Sequence, residues 1–204
     1  MTMNVRPISQ EALVGELVRR IGDRPRGERV RVVVDGAPAA APYVYADALV
    51  EPLKLLGRPV LRVSAWDFLR PASLRLEYGR RDPDAFYDDW LDVKALAREV
   101  LNGTGRILPR LWDSAADRAY RDPYASLPEG GVVILDGTLL LGRGLPAELS
   151  VHLWMSGAAL RRRTPEDEGW RLPAYERYER EVRPAAQADV AVKVDDPRHP
   201  AVLS

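Results

Sequence analysis

Where the valine-rich run VRVVVD ends at Asp35, the chain continues GAPAAAPY, Gly36 to Tyr43, at the point where a strand gives way to a helix and a loop can hold a phosphate group. Two more carboxylates stand in comparable places. Asp67 follows the strand-like PVLRVS, a setting that suits a crevice site at a strand's carboxyl end or an N-cap. Asp136 closes the apolar run VVILDG, where it can serve a site or cap the next loop. The run Arg161, Arg162, Arg163 is the densest cationic stretch, and Lys54, Lys94 and Lys193 are the only lysines. Arginine is the better residue for gripping phosphate or carboxylate with two parallel bonds. A helix end with basic charge facing the C-terminal dipole explains the same run. His152 and His199 are too few and too far apart for a zinc site or a serine-type triad, and both read as structural.

The elements that must position these residues alternate. Leu13, Val14, Leu17, Val18 and Ile21 fall at helical spacing behind Ser9 as N-cap. A strand over Val30–Asp35 follows, then a helix carrying Val44, Ala48, Leu49, Leu53 and Leu56 inward, kinked or shortened by Pro52 and closed by Gly57. Pro59–Ser64 supplies the second strand of a βαβ unit. A third helix is expected over Pro83–Leu101, with Phe86, Trp90, Val93 and Leu96 on one side, ending at a turn over Asn102–Gly105. Strands in GGVVILDG, LSVHLWM and ADVAVKV alternate with helices in SGAALRRRT and LPAYERYEREV. This pattern predicts an α/β fold, a three-layer α/β/α sandwich around a mainly parallel sheet.

The 204 residues suit one folding unit over 1–204, with an N-terminal helix and loop over 1–27 and a short lid over 161–172. Thirty basic and thirty acidic side chains give zero formal charge, which argues against nucleic acid and membrane as partners. No 18 apolar residues run together, and cysteine is absent, so the cytoplasm is the expected location.

Taken in order, VVVDG, VSAWDFLRP, RDPDAFYDDWLD, LPRLWDSAADR, VVILDGTLLL, AALRRRTPEDEGW and YERYEREVRPAAQADV resemble the uridine kinase and phosphoribulokinase branch of the P-loop kinases. In that family the loop reads G-x-x-x-x-G-K-[ST], whose amides cradle phosphates, whose lysine reaches the β and γ groups and whose hydroxyl binds Mg²⁺. Gly36 matches the first glycine, but Ala41 replaces the second, Pro42 the lysine and Tyr43 the hydroxyl residue. Pro42 removes a cation and an amide, Ala41 resists the positive φ such a loop requires, and Tyr43 adds bulk. A plain tight connection that starts a helix at Pro42 accounts for the same residues. Arg143 or one of Arg161–Arg163 could swing in for the missing lysine.

The resemblance further implies Asp67 as the base for an acceptor hydroxyl, with Arg70 orienting the ligand. It implies Asp136 as an organiser of Mg²⁺ and water, and Asp82, Trp112, Asp113 and Asp117 as nucleoside contacts. Trp112 serves core packing equally well. Arg161, Arg162 and Arg163 would be lid arginines, with Arg162 acting on the transferred phosphate. The implied activity is phosphoryl transfer from a nucleoside triphosphate to a nucleoside or similar metabolite, with ATP and Mg²⁺ as cofactors if active. The eroded loop makes weak or altered ATP binding the expectation. The alternative is a non-catalytic pseudokinase that binds a nucleoside-like or sugar-like ligand on the same scaffold, in either case with self-association left open.

Overall fold

A computed structural model describes residues 5–103 and 105–203. Thr104, within the expected turn at Asn102–Gly105, and residues 1–4 of the N-terminal segment lie outside the described residues. In chain order the elements are β1 (Val5–Pro7), α1 (Gln10–Gly22), β2 (Val30–Gly36), α2 (Pro42–Ala48), α3 (Val50–Leu55), β3 (Val60–Ser64), α4 (Ala72–Arg75), α5 (Pro83–Asp88) and α6 (Val93–Ala95). Four short strands follow, β4 (Arg106–Ile107), β5 (Trp112–Asp113), β6 (Arg118–Ala119) and β7 (Ala125–Ser126). The chain closes with β8 (Val132–Gly137), β9 (Leu149–Trp154), α7 (Gly157–Arg163), α8 (Leu172–Glu181), α9 (Pro184–Gln187), β10 (Val190–Lys193) and β11 (Ala201–Leu203).

Seven strands form one sheet in the order β1-β11-β10-β9-β2-β8-β3. Within it β10, β9, β2, β8 and β3 are parallel. At one side of the sheet β11 and the edge strand β1 run antiparallel to their neighbours, an addition that their three-residue lengths hid in the sequence. Alternation along the buried strands feeds two apolar layers. Val32, Val34 and Ile134 pack with Leu13, Leu17, Leu49 and Leu53, whereas Val33, Val133 and Leu135 pack with Phe68, Leu96 and Val100. The expected mainly parallel α/β architecture is the observed one.

Ser9 caps α1, accepting from the Ala12 amide at 3.1 Å, and Gly57 ends α3 with φ 76. The helix expected through Pro52 is two helices hinged at Leu49, and Leu56 is exposed rather than inward. The helix expected over Pro83–Leu101 is interrupted. Residues 90–92 leave it to pair with 68–70: Arg70 N donates to Trp90 O at 2.8 Å and Asp92 N to Phe68 O at 2.9 Å. Asp92 then caps a new start at the Ala95 amide, 2.8 Å away, before a π turn over Leu96–Leu101. Tertiary pairing here outweighs helix propensity.

Candidate functional site at the strand ends

The strand order reverses around β2, so the carboxyl ends of β2, β8 and β9 border a crevice where parallel-sheet proteins place ligands. The loop leaving β2 makes a tight 3₁₀ turn over Pro38–Ala40 before α2. Of the eight positions 36–43, Pro38 and Pro42 lack an N–H, while the amides of Ala40 and Ala41 bond the carbonyls of Ala37 and Pro38 at 2.8 and 2.9 Å. Half of the loop positions therefore have no donor to offer an anion.

Two expectations about this loop are corrected. Ala41 does occupy the left-handed region, at φ 54 and ψ 55, a conformation that costs a residue with a Cβ roughly 1 kcal/mol. Tyr43 is 53% exposed, so its bulk stands in solvent, and it is Pro42 that is buried in the first turn of α2. The loop keeps a left-handed turn while lacking the lysine and small hydroxyl.

Asp136 is buried at the end of β8, on the face of Ile134 and Val34. Arg62 of β3 reaches its Oδ1 at 2.7 Å and, with Nε, Asp47 of α2 at 2.8 Å. Burial pushes the Asp136 carboxyl up against the pull of Arg62. The carboxylate expected to organise a cation is thus engaged by a guanidinium. No group of three or more His, Asp or Glu side chains converges on a metal position among the described residues.

Asp67 lies in the 3₁₀ turn Ala65–Phe68 after β3, half-buried, and burial pushes its carboxyl up more than Arg110 and Arg62 pull it down. Its carbonyl accepts from Leu111 N at 3.0 Å, which seats the β5–β6 hairpin beside it. Trp112 and Asp117 meet in that hairpin, Nε1 to Oδ1 at 3.1 Å, and Asp117, at φ 47, also accepts from Ala72 N at 2.8 Å. Asp113 binds the amides of Ala115 and Ala116, both at 3.0 Å, and so shapes the turn. The remaining two members of this group are engaged locally. Asp82 caps α5 through the Ala85 amide at 2.7 Å, and Arg70 pairs with Asp89 at 3.1 Å.

Beside the hairpin, the segment expected as a lid inserts a residue that sequence reading missed. The Arg171 guanidinium lies 5.7, 5.1, 5.6 and 5.2 Å from the ring centroids of Trp66, Phe86, Trp90 and Trp170. Trp66, Phe86 and Trp90 border a gap of about 20 Å³, too small for a metabolite. The neighbouring pair Trp170-Arg171 was the available signal. Arg171→Ala is expected to lose about 2 kcal/mol from four ring contacts and the buried stem, roughly 4–8 °C in melting temperature. An unchanged thermal melt would show that the rings do not fasten this segment.

The three expected lid arginines diverge. Arg161 pairs with Glu176 at 3.2 Å, Arg163 donates to Val194 O at 2.9 Å, and Arg162 is exposed. Arg143 is tied to the Leu139 and Tyr87 carbonyls, which holds it away from the role of a replacement lysine.

The polar group that joins the strand ends is Asp35, fully buried and read in sequence only as the opening of the loop. It accepts from His152 Nδ1 at 2.7 Å, Tyr178 OH at 3.0 Å and Leu140 N at 2.9 Å. In register Asp35 faces His152 directly, so two polar residues inside apolar strands were the missed signal. His152 lines a cavity of about 420 Å³ between the start of the loop, β9, α7 and α8, and its Nε2 lies 3.6 Å from Glu179. That volume is ligand-sized.

Burial alone would push the imidazole down, but its bond to Asp35 and the nearby Glu179 carboxylate outweigh this and hold the pKa at about 9, above the ordinary 6.5. A raised folded pKa means the cation stabilises the fold fully below pH 6.5, and this is lost as pH rises through 9. Stability should fall by about 3 kcal/mol between pH 6 and 9.5. Asp35 and Glu179 face the ring, and Tyr175 and Tyr178 are pushed above this window by burial, which leaves the imidazole as the titrating group. Urea unfolding at the two pH values checks this, and His152→Gln should flatten the difference. An equal slope in that variant would assign it elsewhere.

Neither a protein-family model nor a curated protein matches the chain. Solved structures do. A possible uridine kinase from Bacillus stearothermophilus is similar with a TM-score of 0.71 and 17% identity, over 87% of this chain and 96% of that one. A candidate fructose transport system kinase from Silicibacter sp. TM1040 gives 0.60 and 20%, over 89% and 95%. The YGR205w protein gives 0.61 and 12%, over 94% and 96%. At these identities the likeness is one of fold. The chain carries the uridine-kinase-like P-loop kinase fold, as the sequence motifs led one to expect. No helix among the described residues is long and apolar enough to cross a membrane.

Proposed function

We propose that the chain is a small-molecule-binding protein on this kinase-like scaffold, one that no longer uses a nucleoside triphosphate as phosphoryl donor. The observation that carries the reading is the loop over 36–43, where half of the positions have no amide for an anion and Pro42 stands at the lysine position. If each missing charge-assisted bond is worth roughly 1.5–3 kcal/mol, two or three weaken triphosphate binding by several powers of ten. The residues present therefore do not fit Mg²⁺ with ATP, the more so because Asp136 is already paired with Arg62.

A second reading, retained phosphoryl transfer, draws support from Asp67. This half-buried carboxyl, raised by burial, sits beside the Trp112–Asp117 hairpin, a setting that supports a role as base for a hydroxyl. Isothermal titration with Mg-ATP, together with a search for phosphorylated product from a nucleoside and sugar panel, separates the two. The proposed reading expects no saturation at millimolar ATP and no product. Turnover would replace it with the second.

A further inference from the structure

We propose that the cavity beside His152 is the binding site for an uncharged, hydroxyl-rich small molecule, held by the His152 imidazole, the Glu179 carboxylate and the hydroxyls of Thr138 and Tyr175. The inference builds on the ligand-binding reading above and gives it a location apart from the Asp67 side of the crevice.

Three buried polar atoms without a hydrogen-bond partner, His152 Nε2, Thr138 Oγ1 and Tyr175 OH, belong to side chains that line this one cavity. Thr138 lies near enough to Tyr175 to affect its phenol, yet neither hydroxyl finds bonding geometry within the protein. Each unsatisfied buried group costs roughly 1–3 kcal/mol, so three such atoms on side chains that line one ligand-sized space favour an occupant toward which these side chains turn. The imidazole is 4% exposed and its direction is fixed: Asp35 accepts from Nδ1, which leaves Nε2 as the free edge.

The charges around the cavity select the ligand. Asp35 is matched by His152 and Glu176 by Arg161 at 3.2 Å, while Arg180 is exposed and shares Glu181, at 3.5 Å, with Arg177. What remains is a donor and an acceptor side by side, Nε2 and the Glu179 carboxylate, 3.6 Å apart. A hydroxyl satisfies both, accepting from the imidazolium and donating to the carboxylate. A ligand anion would meet Glu179, and a ligand cation would meet the imidazolium. Thr138 and Tyr175 can each donate or accept and so suit further hydroxyls, while Ala37, Leu153, Met155 and Leu160 supply an apolar wall for carbon-bound hydrogens.

The test compares three probes of one shape and different charge: ribitol, ribonate and 1-amino-1-deoxyribitol, by saturation-transfer NMR and calorimetry on the full chain. Ribitol should bind at least about tenfold more tightly than either charged form, since each would place a like charge against Glu179 or the imidazolium. Thr138→Val and Tyr175→Phe should each weaken ribitol binding about 5–10-fold, because each removes a hydrogen bond to the ligand. Neither should lower the melting temperature, as each deletes a hydroxyl that has no partner in the protein. Glu179→Gln, at a partly exposed position, should let ribonate approach the affinity of ribitol. Equal or tighter binding of a charged probe, no ribitol binding at millimolar concentration, or unchanged affinity in both hydroxyl variants would overturn the proposal. Phosphoryl transfer from ATP would sink the reading of the preceding section instead, leaving the charge comparison to decide this one.

Discussion

Asp35→Ala is expected to destabilise the protein by about 3–5 kcal/mol, roughly a 10 °C fall in melting temperature. The carboxylate is completely buried and ties four parts of the chain together: β2 itself, His152 on β9, Leu140 after β8 and Tyr178 on α8. Its loss leaves an imidazolium, a phenol and an amide without their acceptor in a place water does not reach. Asp35→Asn is the sharper variant. Oδ2 accepts from both His152 and Tyr178, so an amide nitrogen in that position would set donor against donor. A partly exposed turn carboxylate such as Asp113 provides the contrast, and Asp113→Ala should cost well under half as much. Thermal and urea unfolding check both. If Asp35→Asn melts within about 2 °C of the parent, the hub is not what joins these elements.

The parts of the fold legible in the sequence are those whose physics is local. Val30–Gly36, Val132–Gly137 and Leu149–Trp154 announce themselves because strands buried on both faces must be continuously apolar. Ser9 and Gly57 mark helix ends through their own side-chain and backbone properties. The break at residues 90–92 was hidden, because the decision to leave the helix is made by Phe68 and Arg70, twenty residues away, which offer hydrogen bonds to Trp90 and Asp92. Strands β1 and β11 were hidden for a similar reason: three residues carry no period, and each pairs with a strand almost two hundred residues away in sequence.

The candidate site divides in the same way. Asp67, Trp112 and Asp117 were read from motif resemblance, and they do gather around one hairpin. Asp82 and Arg70 came from the same motifs and turn out to be engaged in a cap and a pair with Asp89, because a one-dimensional pattern names a residue without naming its partner. Asp35, read only as the opening of the loop, and His152, read as structural, were not joined for the opposite reason. Each is an isolated polar residue in an apolar strand, and only the parallel register that sets them side by side turns two unremarkable positions into a buried ion pair beside a cavity. The space follows the same division. The aromatic side near Phe86, Trp90 and Arg171 is filled, and the roomy side is the one lined by His152 and α8.

The triple substitution Ala41→Gly, Pro42→Lys and Tyr43→Ser is expected to create Mg-ATP binding at least about 100-fold tighter than in the parent. Ala41 already holds a left-handed turn at φ 54, so glycine there relieves strain without redirecting the chain. Replacing Pro42 restores an amide and adds the cation that reaches terminal phosphates, and serine at position 43 supplies the small hydroxyl suited to Mg²⁺. One regained amide and one ammonium contact are together worth roughly 3–6 kcal/mol, which is where the factor comes from. Tyr43 is largely in solvent, so its removal vacates no core volume and the variant should fold. Calorimetry with Mg-ATP on parent and variant reads the result directly. The Arg62 clasp on Asp136 sets the second stage: adding Arg62→Gln frees a carboxylate for the cation and should tighten binding again. Should both variants remain as indifferent to ATP as the parent, the explanation through residues 41–43 fails, and the inward-bonded amides of Ala40 and Ala41 become the feature that closes the loop to phosphate.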